Sequence, residues 1–559
     1  MSTGILQVAA TLLLIILLVK PAGSYLVRVF DYEKTTLDRI FGPIERLFYR
    51  VMGVRETETM NWKQYVTAML LSNFVMVLLM YAVLRLQKYL PLNPDGIDNM
   101  PSALAFNTAA SFITNTNWQA YSGENGLSYL SQMLAITFPM FTSAATGLVV
   151  AIAFIRGISA RQIHLGNFYV DLVRSLFRVF LPLSLIVALF LVFQGAPQTL
   201  DSAQTTTTIE GAQQTITRGP VASLESIKHI GTNGGGYFGM NASHPFENPT
   251  PLTNLVHILC MMLVPTALVY AFGVMIKNKR QGWTVFATMA ILFLMMLSVV
   301  FLSEYKGTPA LDALGISGNM EGKEVRFGYS QSALFTTVTT AATTGSVNNM
   351  HDSLTPLGGL VPLAQMMLNN VFGGDGVGLL NGLLYVILTV FICGLMVGRT
   401  PEFLGKKIEG KEIKLASIAL LAHPVIILVP TAIAFLRPES MASILNPGSH
   451  GISEVLYAFT SGAANNGSAF AGLSANTNFY NMAIGLVMLF GRYISIVALL
   501  AIAGSLAAKR LVPATAGTFR TDSALFTFIL LVMILVIGAL TFFPALALGP
   551  IAEHLSMWK

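Results

Sequence analysis

The chain has 559 residues, of which 54% are hydrophobic and only 11% charged, and its mean hydropathy is +0.65. A soluble globular chain carries about a quarter charged residues, so this composition excludes a soluble protein and requires a low-dielectric environment. The formal net charge of +6 is attributed to basic loops between membrane spans rather than to an acidic or nucleic-acid partner.

Apolar stretches long enough for an α-helix to cross a bilayer recur along the whole chain. The first of them, 5–19, has no basic segment before it and no small-residue cleavage site after it. It therefore predicts a retained span rather than a signal peptide. In chain order the candidate spans are 5–19, 64–85, 132–155, 176–193, 253–275, 283–302, 357–372, 377–397, 415–435, 482–506 and 524–546.

Basic residues gather in five clusters between these spans, and such clusters face the cytoplasm. The clusters alternate with the other side of the membrane only if 357–372 and 377–397 form one interrupted crossing. The sequence thus predicts ten crossings with both termini extracytoplasmic. The clusters comprise Lys20, Arg28, Lys34, Arg39, Arg46, Arg50, Arg55 and Lys63; Arg156, Arg161, Arg174 and Arg178; Lys277, Lys279 and Arg280; Arg399, Lys406, Lys407, Lys411 and Lys414; Lys509, Arg510 and Arg520.

The interruption itself is rich in glycine, with Gly373, Gly374, Gly376 and Gly378 around Asp375. Glycines at this density unwind a helix, and such backbone persists at membrane depth only where it faces protein or water. The alternative is an ordinary turn between two spans, which would put one basic cluster on the wrong side.

One unit recurs four times in the segments between spans: a span, a short apolar helix, a small polar loop and a returning span. The predicted short helices are 102–113, 221–230, 330–342 and 452–464. The predicted organisation is an extra N-terminal span with a basic loop at 1–60, repeats at 61–156, 157–280, 281–414 and 415–508, and an extra C-terminal span at 509–559.

The four polar loops carry no acidic or basic side chain, and they are rich in Asn, Thr and Gly. Gly and Asn tolerate left-handed backbone angles, which allow successive carbonyls to point the same way. A ring of carbonyls from four loops can replace the water shell of K⁺, and the negative helix ends add to the attraction. The fold class predicted is an all-α integral membrane protein with four repeats in pseudo-fourfold arrangement around one cation pore.

At these loops the sequence resembles the potassium-binding A subunit (KdpA) family of bacterial Kdp-type potassium-transporting ATPases. The likeness extends over nearly the whole chain and includes 60–65, 89–94, 114–119, 121–124, 232–236, 243–249, 319–324, 398–402, 404–407 and 465–476. It implies the fold of the superfamily of potassium transporters. Carried over residue by residue, the implied filter positions are Asn115, Thr116 and Asn117; Thr232, Asn233 and Gly234; Thr343, Thr344 and Gly345; Asn465, Asn466 and Gly467.

The resemblance also implies roles outside the filter. Gln119 resembles a position that influences potassium affinity, and the interruption resembles a gating loop of Gly373, Gly374, Asp375 and Gly376, with Arg399 at its cytoplasmic end. Asp375 departs from the small or apolar residue expected there. An ionisable group at that depth indicates a function, unless it pairs with a neighbouring cation or is protonated.

The activity implied by the resemblance is uptake of external K⁺ at the bacterial inner membrane. The ion is then transferred through an intramembrane tunnel to a P-type ATPase, the B component of the Kdp complex. The small C and F components of that complex, and membrane lipid, complete the implied partners.

Catalysis by the chain itself has no motif to support it. There is no phosphate-binding glycine loop ending in Lys-Ser or Lys-Thr, no Asp-Lys-Thr-Gly and no His-Glu-x-x-His. We expect no organic cofactor, with K⁺ as the transported ion. Two alternatives stay open: a stand-alone Trk/Ktr-like potassium channel or ion-coupled uptake protein, and a secondary transporter for an organic solute, which four uncharged loops disfavour.

Overall fold

The computed structural model describes residues 2–159, 164–513 and 518–557. Within these ranges ten helices are long and apolar enough to cross a membrane, which confirms the number of crossings predicted. They span Ser2–Phe30, Trp62–Tyr89, Tyr129–Ile158, Phe168–Phe193, Pro251–Met275, Lys279–Ala313, Val377–Met396, Gly410–Phe435, Asn478–Ala507 and Ala524–Ser556. Short π-helical or 3₁₀ turns join pieces of several of them, at Gln87–Tyr89, Gln132–Thr137, Leu176–Phe180 and Ala547–Ile551.

Four short helices lie between pairs of spans, where the repeat predicted them. They are Ser102–Ile113, Val221–Ile230, Gly328–Ala341 and Ser449–Ala463, and they are numbered short helix 1 to 4. Nearly every side chain of these helices is buried, because they lie inside the ring of spans rather than against lipid. The division of the chain into the four predicted repeats follows the same order of elements and stays a proposal.

The interrupted crossing consists of Pro356–Leu368 and Val377–Met396. Residues 369–376 between them are called the break. Positive φ angles occur at Asn369, Phe372, Gly373, Gly374 and Gly376, so the chain leaves the helical path for most of this segment. Every residue of the break is buried, which gives its unwound backbone protein partners in place of lipid.

The local structure differs from the sequence-based picture in three places. The first helix continues through Lys20, Pro21 and Arg28 to Phe30, so the basic loop begins about ten residues later than predicted. That loop contains an amphipathic helix, Asp38–Met52, which the search for apolar spans could not detect. The chain also forms two small antiparallel hairpins, Gln204–Thr207 with Gln213–Ile216 and Glu402–Phe403 with Lys406–Lys407, within an otherwise helical fold.

Two buried ion pairs join the helix ends on the side of the basic clusters. Arg156 contacts Asp171 (Nη1–Oδ2 2.7 Å), and Arg178 makes a bidentate pair with Glu45. Both arginines lie within or at the end of spanning helices rather than in loops, because each has a carboxylate partner that compensates its burial. Arg161 of the same predicted basic cluster lies outside the described residues.

Candidate cation site

Each short helix ends in the same backbone geometry, and the four polar loops follow from it. Loop 1 is 114–119, loop 2 is 231–236, loop 3 is 343–346 and loop 4 is 465–469. The first residue of each predicted filter triad is left-handed, with φ of 61° at Asn115, 45° at Thr232, 45° at Thr343 and 53° at Asn465. Helices commonly end with a left-handed residue just after their last turn, but that residue is usually glycine, and here it is Asn or Thr.

The second residue of each triad makes an equivalent hydrogen bond, from its amide to the carbonyl five residues earlier. The four bonds are Thr116 to Ser111 (3.0 Å), Asn233 to Lys228 (2.8 Å), Thr344 to Thr339 (2.8 Å) and Asn466 to Ser461 (2.9 Å). The loops are thus four copies of one conformation, although their side chains differ. Left-handed Thr232 and Thr343 are strained, because a β-branched residue there costs on the order of 1–3 kcal/mol.

The third residue alternates back to the left-handed region in three of the four loops. Its φ is 60° at Asn117, 86° at Gly345 and 94° at Gly467. In these three loops two left-handed residues flank one with negative φ, and such alternation turns successive carbonyls to one side of the chain, as a carbonyl-lined ion site requires.

Side-chain amides join loop 1 to both of its neighbours. The amide of Asn115 donates to the carbonyls of Gly231 (3.2 Å) and Thr232 (3.0 Å), and that of Asn465 donates to Thr116 Oγ1 (2.9 Å). Loop 1 therefore touches both loop 2 and loop 4.

Close backbone contacts at three glycines complete a closed ring of the four loops. A Cβ added at Gly234 would overlap the Thr344 carbonyl, one at Gly345 would overlap the Asn466 carbonyl, and one at Gly467 would overlap the Thr116 carbonyl. In each case the third residue of one triad lies against the second-residue carbonyl of the next loop. The absence of a side chain at these three positions lets the backbones approach closely, so the triads surround a common axis. All twelve predicted filter residues are brought together here.

Outside the ring, two amide side chains connect neighbouring loops. Gln119 and Gly236 exchange hydrogen bonds, with Gly236 N donating to Oε1 (2.8 Å) and Nε2 donating to the Gly236 carbonyl (3.0 Å). Asn241 donates to the Gly234 carbonyl (2.6 Å) and accepts from Ser346 Oγ (3.2 Å). Gln119 thus lies beside the ring and braces loop 1 against loop 2.

The break contacts loops 2 and 3 and the ends of short helices 3 and 4. Gly373 N donates to the Ala341 carbonyl (2.8 Å), Asp375 N donates to Thr232 Oγ1 (3.0 Å), and Asn369 Nδ2 donates to the Ala464 carbonyl (3.4 Å). A Cβ at Gly374 would meet Thr343 Oγ1 at 2.5 Å. The break therefore lies against the ring where short helices 3 and 4 end and loops 2 and 3 begin. Arg399 lies apart from it, exposed beyond the far end of Val377–Met396.

Asp375 is 3% exposed, and neither of its carboxylate oxygens has a hydrogen-bond partner among the described residues. Arg492 is also buried, and a Cβ added at Gly147 would meet both the backbone carbonyl of Asp375 and Nη2 of Arg492. No ion pair forms between Asp375 and Arg492 in the part of the chain that the structure describes, so pairing of this carboxyl with a cation stays a prediction.

A buried charge cluster supports loop 2 from behind, and sequence reasoning missed it. Lys228 Nζ contacts Glu225 (3.1 Å) and Glu247 (2.7 Å), and all three side chains are fully buried. Glu247 also accepts from Phe238 N (2.7 Å). The signal was available, since Glu225 and Lys228 are charged residues three apart in an otherwise apolar short helix.

A second polar contact fixes the start of short helix 4. His450 bridges Asp352 (Nε2–Oδ1 2.7 Å) and Glu553 (Nδ1–Oε1 2.8 Å). Burial opposes the charged form, but the hydrogen bonds to the two carboxylates outweigh it and raise the pKa of His450 to about 10. His450 is therefore positively charged at neutral pH and joins the C-terminal helix to the fourth repeat.

Comparisons with known proteins agree with this architecture. Residues 9–555 match the family described as KdpA, the potassium-transporting ATPase A subunit. A potassium-transporting ATPase potassium-binding subunit of Geobacillus kaustophilus is 58% identical over 554 residues, 99% of each chain. Its counterpart in Delftia acidovorans is 58% identical over 562 residues, covering 99% of this chain and 98% of the relative.

Among solved structures, the potassium transporter TrkH of Vibrio parahaemolyticus has a similar fold. The TM-score is 0.52 at 16% sequence identity, over 89% of this chain and 97% of that one. This likeness is one of fold, and it confirms the predicted all-α class.

Proposed function

The chain belongs to the family of potassium-transporting ATPase A subunits, and from this membership we propose that it is the potassium-binding subunit of an ATP-driven import complex. The observation that carries the proposal is the closed ring of four equivalent loops. In it the proposed filter residues are Asn115, Thr116, Asn117, Thr232, Asn233, Gly234, Thr343, Thr344, Gly345, Asn465, Asn466 and Gly467.

The proposed filter binds K⁺ through backbone carbonyls. Each triad offers carbonyls on one side of the chain, and four triads around an axis can replace the water molecules that the ion loses. No acidic or basic side chain occurs in the loops, so selectivity depends on the spacing and number of oxygens rather than on net charge. The C-terminal ends of the four short helices point to the same place and add a favourable potential.

The break is the proposed gate. Residues 373–376 contact loops 2 and 3, and this proximity supports a role in which they obstruct straight passage of the ion across the membrane. The ion then travels sideways, through an intramembrane tunnel, to the P-type ATPase component of the complex, and Arg399 belongs to the cytoplasmic end of the gating segment. The small C and F components complete the proposed Kdp complex.

In this proposal the chain itself does not hydrolyse ATP, and its work is selection and delivery of the ion. It lies in the bacterial inner membrane with both termini extracytoplasmic, because that orientation puts the basic clusters in the cytoplasm. The alternative is a stand-alone potassium channel or ion-coupled uptake protein, which would use a similar filter with a soluble gating subunit.

Purification from native membranes through a tag on this chain distinguishes the two. We expect a P-type ATPase chain to be retained in stoichiometric amount and the preparation to hydrolyse ATP when K⁺ is added. Recovery of a soluble nucleotide-binding ring, with no P-type ATPase, would support the channel instead.

Gln119→Arg is expected to weaken K⁺ affinity by about tenfold or more, because a fixed charge beside the ring repels the ion and the paired bonds to Gly236 are lost. Gln119→Glu removes the donated bond but brings a negative charge, so it separates repulsion from loss of bracing. The measurement is the K⁺ concentration for half-maximal ATPase stimulation. An unchanged value in Gln119→Arg would exclude Gln119 from the site.

A further inference from the structure

The helix Asp38–Met52 connects the first two spanning helices and presents three distinct faces. Asp38, Gly42, Glu45 and Tyr49 recur every three or four residues, so they form one face. Arg178 pairs with both Asp38 and Glu45, and Phe177 packs against Phe48 with ring centroids 5.3 Å apart. This face holds the helix firmly against the protein.

The opposite face is apolar and uncovered. Ile40, Ile44, Leu47 and Val51 also follow helical spacing, and the exposed fractions are 62% at Ile40, 56% at Leu47 and 77% at Val51. At about 100° per residue their centre lies on the far side of the helix from the buried face. An uncovered apolar row of this length is costly in water, so it requires an apolar occupant.

A row of arginines lies along one edge of the apolar face. Arg39, Arg46 and Arg50 are exposed, are spaced seven and four residues apart, and form no ion pair with any residue in the described ranges. Unpaired arginines beside an apolar row are complementary to a phospholipid. The arginines can contact its phosphate while the apolar side chains contact its acyl chains.

The position of the helix indicates that a lipid of the adjoining leaflet covers its apolar row. The preceding span ends at Phe30 and the following one begins at Trp62, so the helix lies at the membrane surface where both chain segments leave the bilayer. Glu45 and Asp38 are both engaged by Arg178, which leaves the arginine row without internal neutralisation.

We propose that Asp38–Met52 is an interfacial helix that binds anionic phospholipid, with its apolar row among the acyl chains and Arg39, Arg46 and Arg50 on the headgroup phosphates. The site anchors the basic segment between the first two spans. It also makes the protein sensitive to the anionic lipid content of the leaflet on that side.

The test attaches a fluorophore to the cysteine of Val51→Cys in the complete complex and measures its quenching by lipid. Cys260→Ala and Cys393→Ala remove the other two cysteines of this chain, so that it is labelled at residue 51 alone. The complex is reconstituted in vesicles of 70% phosphatidylcholine and 30% phosphatidylglycerol, with brominated acyl chains on one lipid or the other. We expect quenching per mole of lipid to be about threefold stronger for phosphatidylglycerol. Combined Arg39→Gln, Arg46→Gln and Arg50→Gln should reduce the ratio to about one, while leaving quenching itself in place.

The matched control removes three positive charges elsewhere, by Lys407→Gln, Lys411→Gln and Lys414→Gln, all of them exposed lysines. This variant should keep the threefold ratio. Equal quenching by both lipids in the parent complex would overturn the anionic preference. Absence of quenching by either lipid would show that protein covers the apolar row, and would overturn the proposal altogether.

Discussion

Gly467→Ser is expected to lower K⁺ affinity by at least about tenfold and to let Na⁺ compete. Gly467 has φ of 94°, and a Cβ there would overlap the carbonyl oxygen of Thr116 in the adjoining loop. The serine can be accommodated only if loops 1 and 4 separate, which moves a carbonyl that the proposed filter uses. The measurement is the K⁺ dependence of ATP hydrolysis by the whole complex, with and without Na⁺.

Gly448→Ser provides the control for backbone strain. Gly448 has φ of 77°, and a Cβ added there meets no atom within 4 Å. Gly448 also has ψ of −145°, close to a region that essentially only glycine adopts, so a serine is strained there as well, but only Gly467→Ser displaces a carbonyl of the ring. Unchanged affinity and selectivity in Gly467→Ser, or an equal loss in Gly448→Ser, would contradict the assignment of loop 4 to the filter.

Sequence reasoning located the four loops because their composition and their place in a repeating unit are both local signals. Short helices 1 and 2 were predicted with the bounds that the structure has, and the twelve triad residues converge. The reason for glycine at the third position was not available from sequence. It depends on which loop lies next to which, and a Cβ at Gly345 conflicts with Asn466, more than a hundred residues away.

Other features of the site and fold could not be predicted from the sequence, because they depend on side chains that meet only in the folded chain. Asn241 has the pattern of a glycosylation acceptor, yet its amide joins loops 2 and 3. Arg492 lies within an apolar span, and its proximity to Asp375 could not be read from spacing. The helix Asp38–Met52 was missed because a window searching for continuous apolar residues does not respond to a three-faced helix.

Lys228→Met is expected to destabilise the protein by roughly 3–5 kcal/mol, because it leaves Glu225 and Glu247 buried without a counter-charge. The effect should reach the filter as well, since the Lys228 carbonyl accepts the amide of Asn233 at the second position of loop 2. The measurements are the unfolding temperature of the complex in detergent and its K⁺ affinity.

Two further variants test whether the lost charge is the cause. The first is a matched control, and the second separates loss of the charge from loss of the lysine side chain. Lys88→Met removes a contact of the same length, 2.7 Å to Asp98, from an exposed pair, and should leave stability unchanged. Adding Glu225→Gln and Glu247→Gln to Lys228→Met should restore much of the lost stability, because no unpaired charge remains and residue 247 still accepts from Phe238 N. If the triple variant were no more stable than Lys228→Met alone, packing of the lysine chain rather than neutralisation of two carboxylates would be what supports loop 2.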